Sequence, residues 1–376
     1  MKQKLLIVTD NFLPQWDGVT RFLVEVIPKL SKSYDVTVLA PDFSGSSIFF
    51  PDVKIFRFPL SMLVVNNFQL AYPQYKNFEP YIKEADIVWT QGIGSLGSSA
   101  IYIAKRYKKP LIAYIHSIEW ALVEKSVPGP LIFKQLASLL TQVFANWLYN
   151  KCDILMMPTQ EVADIFESKE IETVKILVPL GVNCKNFEPS ENKADSKKAL
   201  GIKPEEIVIG YCGRISRDKD VITLYKAFEW INKKCSNVKL LIVGPGNSDY
   251  MTKFDSKENI IVTGAKDNVV DYYQAMDIFV LPSLTETTSL ATLEAMACGC
   301  CIVSTKVGIA QDIIKNGENG LFFPKRNDLI LKKKLKWLVN HPDIIEMYSK
   351  RARVTVIKHY SWTETIKAIE DVLAKF

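Results

Sequence analysis

The sequence predicts an α/β chain of two doubly wound domains, each a mostly parallel sheet with helices on both faces. Three observations carry that prediction. The chain has 376 residues, too many for one ordinary domain and suited to two of roughly 150–200 residues each. Short β-rich runs alternate with helical stretches along most of it. A polar stretch at 188–198 interrupts the alternation, which then begins afresh.

The first segment reads strand, Gly-containing loop, helix, at 5–9, 11–18 and about 20–30. A second strand follows at 36–40, and further β-rich runs lie at 53–58, 87–90, 111–115, 154–157 and 175–178. Helical patterns separate several of them, notably 98–107 and 134–150. In the latter, Leu136, Leu139, Leu140, Val143, Phe144, Trp147 and Leu148 share one face, which predicts a core-facing helix. After the polar break, strands are expected at 207–212, 239–243, 260–263, 278–281, 301–304 and 321–323, again with helices between. The final helical stretch, 362–376, has no strand after it to cover and is expected to return to the first domain. The expected divisions are 1–185, 190–355 and a terminal segment 356–376.

With 48% apolar and 23% charged residues, the composition is that of a soluble globular protein. The net charge of +6 is spread over both halves, so neither is a nucleic-acid module, while anionic phosphates or membrane surfaces remain compatible partners. The seven cysteines include no CxxC pair, and Cys298, Cys300 and Cys301 lie in an apolar stretch that favours packing over ligation. Three scattered histidines cannot supply a His-rich metal site, and neither a metal nor a cofactor is expected. The first apolar run ends at Asp10, too soon for a signal peptide, and no uncharged apolar run reaches the ~18 residues of a membrane span. A cytoplasmic location is expected, with docking at the inner face of the membrane an extension of it.

The segment 280–299, VLPSLTETTSLATLEAMACG, is the most informative. A strand ends at Pro282 and the following loop carries Glu286. Thr287, Thr288 and Ser289 offer side-chain oxygens suited to capping a helix that opens at Leu290 and carries Glu294. Unpaired N–H groups and the positive end of the helix dipole make such a start a seat for phosphate, and carboxylates accept hydrogen bonds from sugar hydroxyls. Two glutamates eight apart are also compatible with two solvated helix-face charges. The turn GYCGRISRDKD at 210–220 adds the missing cations, since Arg214 and Lys219 follow Gly213 and can neutralise a leaving diphosphate. Asp218 and Asp220 form a DxD within this basic turn, read as coincidence rather than as a metal site.

The E-x7-E pair (Glu286, Glu294), the G-R-x4-K-D turn (Gly213 to Asp220) and the two-domain pattern resemble the retaining glycosyltransferase family 4, of GT-B fold. Phosphatidylinositol mannosyltransferases and sulfoquinovosyl diacylglycerol synthases belong to that family. The resemblance implies two Rossmann-like domains facing a central cleft, with the acceptor on the first and a nucleotide-sugar donor on the second. It implies that Glu294 binds the donor ribose, Glu286 the transferred sugar, and Arg214 and Lys219 the diphosphate. Thr288, Ser289 and Leu290 fall at the donor's helix start, and Gly18 allows close approach of a substrate. His116 matches the family histidine near the sugar's reacting carbon. The acceptor implied is lipid-linked or a glycan. Two departures bear on selectivity: Asp17-Gly18 stands where Gly-Gly is usual, and Thr-Thr-Ser-Leu follows Glu286 where a Phe-Gly pair is common.

Other readings compete. A nucleotide-sugar 2-epimerase shares this architecture, and a binding protein without turnover is the alternative outside enzymes. Gly92, Gly94 and Gly97 spell GxGxxG, but late in their domain and with no acidic residue closing the next strand, so a tight strand-to-helix turn is preferred to a dinucleotide site. The apolar runs at 48–50, 59–65 and 127–131 lack periodicity, which suits either ordinary packing or reversible membrane contact through Phe49, Phe50 and Leu63.

Overall fold

Apolar runs of four to seven residues, buried at almost every position, become central parallel strands because both faces of such a sheet are covered by helices. β1 (Lys4–Val8), β6 (Ile87–Thr90), β7 (Leu111–Tyr114) and β8 (Ile154–Met157) follow this rule in the first half of the chain. In the second half it is followed by β10 (Ile207–Cys212), β13 (Ile278–Leu281) and β14 (Cys301–Ser304). The computed structural model describes residues 2–45, 50–65, 68–246, 254 and 258–376. They fall into two α/β units of Rossmann-like type: Met1–Pro179 with Thr365–Phe376, and Leu180–Glu364.

The first unit holds a seven-stranded parallel sheet in the order β3-β2-β1-β6-β7-β8-β9, where β2 is Asp35–Pro41, β3 Lys54–Phe58 and β9 Val174–Leu177. Its order reverses between β1 and β6, so the crevice beyond their carboxyl ends is a topological switch point, where doubly wound sheets receive ligands. α1 (Gly18–Leu30) follows β1, its N-terminus capped by Asp17, which accepts a 2.8 Å bond from Thr20 N. The run at 59–65, expected as an apolar loop, forms β4 (Leu60–Val65), which pairs antiparallel with β5 (Phe68–Ala71). Met62 on this hairpin is fully exposed, whereas Phe50 is buried against Phe12, so Phe50 packs and does not face a membrane. Ile48, Phe49 and the side chain of Leu63 lie outside the described residues.

α4 (Glu119–Ser126) and α5 (Leu131–Tyr149) separate β7 from β8. Here the structure corrects the sequence. The Leu136–Trp147 stripe of α5 does not face the core: Leu140 is 62% exposed and Trp147 49%, and only Ala145, Leu148 and Tyr149 are buried. Asn146 Nδ2 ties the helix to the protein by donating to Lys169 O at 2.5 Å, while Thr141 Oγ1 donates within the helix to Ala137 O at 2.8 Å.

The second unit holds a six-stranded parallel sheet in the order β12-β11-β10-β13-β14-β15, where β11 is Val238–Val243, β12 Ile260–Val262 and β15 Gly320–Phe322. Its switch point lies between β10 and β13. The last helix, Trp362–Leu373, buries Ile366, Ile369, Val372 and Leu373, and from Thr365 onward it belongs to the first unit. All seven cysteines are free thiols. Cys152, Cys212, Cys298, Cys300 and Cys301 are buried, and burial pushes the Cys300 thiol up to about 12.

Candidate active site

Two loops leave the carboxyl ends of β10 and β13 at the second switch point, and every site residue expected in this half of the chain lies on them or on the helix that follows. Gly213, at φ +146, ends β10 in a conformation that side-chain-bearing residues rarely adopt, and a Cβ there would meet the Tyr211 hydroxyl at 2.9 Å. The same hydroxyl donates to Arg214 O at 2.8 Å, fixing the turn. The Arg214 side chain is 68% exposed, its Nη2 3.7 Å from Asp218 Oδ2. A short 3-10 turn, Arg217–Lys219, aims Lys219 at the second loop, where its Nζ lies 2.6 Å from both carboxylate oxygens of Glu286. Ser283 Oγ donates to Glu286 Oε1 at 2.7 Å, and Leu284 N donates to Asp218 O at 2.8 Å, tying the loops together.

The carboxylates of the DxD are engaged locally. Burial pushes Asp218 up, but a hydrogen bond from Ser216 and the charges of Lys219 and Arg214 leave its carboxyl below the usual range. Asp220 accepts from Thr223 Oγ1 at 2.7 Å. Among the described residues no group of three His, Cys, Asp or Glu is arranged to hold a metal ion.

The helix after β13, α10 (Leu290–Ala297), opens differently from expectation. Ser289 is its N-cap residue, but at φ +76 it makes no side-chain cap bond; its hydroxyl instead lies 2.9 Å from Thr292 Oγ1. Thr287 and Thr288 precede the cap, and Thr288 O accepts from Ile309 N at 2.9 Å. The half-buried start at Leu290 and Ala291 therefore receives no cap from the Ser289 side chain, and the first N–H groups of a helix suit an anion. Glu286 sits in the loop ahead of this helix, so the two glutamates do not lie along one helix, and neither is a solvated helix-face charge. Glu294 is buried, its Oε2 accepting from Tyr273 OH at 2.9 Å. Gly308, unforeseen from sequence, supports the loop: at φ +48 its missing Cβ would stand 2.9 Å from Glu286 Cβ.

The first unit places Gly18 and His116 near its own switch point. Gly18 opens α1 with nothing within 4 Å of the position a Cβ would take. His116 follows β7, packed on Tyr114 and edge-on to Phe22, with ring centroids 4.5 and 5.1 Å away. Burial pushes its imidazole down to about 3, so it is neutral at ordinary pH. Its Nε2 lies 2.9 Å from Gln91 Oε1; with that oxygen accepting, Nε2 carries the proton and Nδ1 is left as an acceptor. Two buried acids of this unit, Asp10 and Glu119, were not foreseen. The Asp10 carboxylate accepts from Leu96 N at 2.8 Å, Gly97 N at 3.1 Å and Ser95 Oγ at 3.2 Å. It thus fills the start of α3 (Ser95–Arg106), where a dinucleotide's phosphates would sit. A Cβ on Gly94 would collide with this carboxylate, so the GxGxxG glycines serve a tight turn. Burial pushes the Glu119 carboxyl up to about 7, despite a 2.6 Å bond donated by Tyr149 OH.

Comparison with known proteins shows the family and the fold. Residues 16–186 match the family model "Glycosyltransferase Family 4", and residues 192–355 match "Glycosyl transferases group 1". The chain belongs to the family 4 glycosyltransferases. It is 25% identical over 337 residues to an alpha-monoglucosyldiacylglycerol synthase of Streptococcus pneumoniae, covering 86% of this chain and 76% of that one. It is also 25% identical to a GDP-mannose-dependent alpha-mannosyltransferase of Corynebacterium glutamicum, covering 85% and 76%. Among solved structures, Anabaena HepE in complex with UDP aligns over 100% of both chains with a TM-score of 0.79 at 16% identity, which shows the GT-B fold. The family 4 enzyme is thus a glycosyltransferase with two Rossmann-like domains, and no described helix is long and apolar enough to cross a membrane.

Proposed function

We propose that this glycosyltransferase moves a hexose from a nucleoside diphosphate sugar, UDP-hexose or GDP-mannose, to a lipid-linked or glycan acceptor, with retention of anomeric configuration and without a metal. The observation that carries the reading is the meeting of Arg214, the Lys219–Glu286 pair and the open helix start at Leu290 at one switch point. Cations and backbone N–H groups converging there suit a diphosphate, and the adjoining carboxylates Glu286 and Glu294 suit hydroxyls of the hexose and the ribose. The second domain would hold the donor and the first would present the acceptor. Two relatives support the substrate classes by name, one a synthase of a glucosylated diacylglycerol and one dependent on GDP-mannose.

In the reaction, the bond between the sugar's anomeric carbon and the diphosphate breaks as the acceptor oxygen attacks the same face. The departing diphosphate takes the acceptor's proton. Arg214, Lys219 and the helix start stabilise charge growing on that leaving group, which is where preorganised dipoles and cations lower a barrier most. Neutral His116 and Gly18 offer a hydrogen bond and close approach without adding charge.

The test is release of nucleoside diphosphate from UDP-glucose and GDP-mannose, with and without lipid and glycan acceptors, in the presence and absence of EDTA. Release that needs an acceptor and survives EDTA is expected. Acceptor-independent conversion of the donor sugar would favour an epimerase, and loss in EDTA restored by magnesium would return the role of Asp218 and Asp220 to metal binding.

A further inference from the structure

Helix α5 is amphipathic the wrong way round. Only Ala145, Leu148 and Tyr149 are buried against the protein, and Ile132, Leu136, Leu139, Leu140, Val143 and Trp147 form an exposed strip. At 1.5 Å per residue its 19 residues run about 28 Å. Such a contiguous apolar face is costly in water and marks a docking surface.

The chemistry of the strip selects its occupant. A protein partner of standard size exchanges roughly one hydrogen bond per 100–200 Å² of interface, yet this strip offers few polar groups, the indole N–H of Trp147 and Gln135 at its edge. No carboxylate occurs anywhere along α5, LIFKQLASLLTQVFANWLY. Cations flank it instead: Lys125 in the last turn of α4 and Lys151 just beyond α5. The neighbouring α4 contributes one exposed carboxylate, Glu124. Lys151 Nζ stands 4.2 Å over the Trp147 ring, an ammonium and an amphipathic aromatic side by side at the end of the apolar strip. That is the order of groups met on passing from acyl chains through the interface to anionic headgroups.

We propose that α5 is a membrane-docking face, lying flat on an anionic bilayer with its apolar strip in the acyl boundary and Lys151 among the headgroups. Asn146, bonded to Lys169 O, and the buried Ala145, Leu148 and Tyr149 hold the helix against the protein and do not let it span. The proposal deepens the lipid-acceptor reading and rests on it for its purpose. Tyr149, at the end of α5, holds Glu119, three residues beyond His116, so the docking helix is tied directly to the loop bearing that histidine.

The experiment is vesicle sedimentation of the full chain with phosphatidylcholine alone and with an equimolar phosphatidylcholine–phosphatidylglycerol mixture, at low and high salt. Wild-type protein is expected to bind the anionic vesicles, more weakly as salt rises. The triple variant Leu136→Gln, Leu140→Gln, Val143→Gln changes only exposed side chains and should bind at least about tenfold less, with an unchanged circular dichroism spectrum. Equal binding by wild type and variant, or none by wild type at low salt, overturns the proposal. So does a wild-type dimer, seen by sedimentation equilibrium, that the variant converts to monomer, because a second copy would then be the occupant. Nucleoside diphosphate release with a detergent-dispersed lipid acceptor separates the two readings. Vesicle binding without any lipid-dependent release would sink the acceptor reading and leave the docking face standing.

Discussion

Arg214 and Lys219 carry the same formal charge but stand in different surroundings, and their variants should fail differently. The Arg214 guanidinium is 68% exposed and meets Asp218 only at 3.7 Å, an arrangement worth at most about 1 kcal/mol to the fold. Arg214→Ala should lower kcat by about 10²–10³ and leave Tm nearly unchanged. Lys219 is mostly covered and holds Glu286 through both oxygens, so Lys219→Ala strips a covered carboxylate of its cation. It should cost turnover together with about 1–3 kcal/mol of stability, measured by urea denaturation beside steady-state kinetics. Turnover near wild type in Arg214→Ala would remove the diphosphate assignment. The five-residue spacing of these cations was legible in the sequence. Which of them is engaged was not, because Glu286 arrives on a loop from a different strand. Gly308 was hidden for the same reason.

At the scale of elements, α4 and α5 are joined by a buried acid–phenol pair with a definite pH signature. Glu119 titrates near 7 in the folded chain against an ordinary value of 4.5. Its folded value is raised, so the stability it contributes is complete below about 4.5 and is lost as pH climbs through about 7. Ionising it where it sits costs up to about 3 kcal/mol. Glu119→Gln keeps an acceptor for the Tyr149 hydroxyl and removes the titration. The variant should therefore gain stability over wild type at pH 8, and the advantage should vanish below the ordinary value of 4.5, read from denaturation midpoints across that range. Parallel pH profiles for the two proteins would show that this carboxyl does not titrate there. The stripe on α5 marked a helix correctly and its orientation wrongly. Periodicity records that apolar residues share a face; only the packing of Ala145, Leu148 and Tyr149, with Asn146 bonded to Lys169 O, decides which face turns inward.

Across the whole molecule, the parallel sheets were legible because central strands such as LLIV in β1 and IFVL in β13 admit no polar residue. Strand order was not, since nothing local in those runs encodes the reversals between β1 and β6 or β10 and β13. Yet the reversal between β10 and β13 is what gathers Gly213, Arg214, Lys219 and Glu286 from distant stretches. The burial of the thiols has a kinetic consequence. In the native chain an alkylating reagent should reach Cys184 and Cys235, which are partly accessible, and should meet the other five only when their surroundings open. Cys152 reports on the first unit, and Cys212, Cys298, Cys300 and Cys301 report on the second. Mass spectrometry of timed alkylation would then read opening rates site by site from the unaltered sequence, and rapid modification of Cys300 in the native state would refute this. The enzyme carries its own set of clocks, already wound into its two cores.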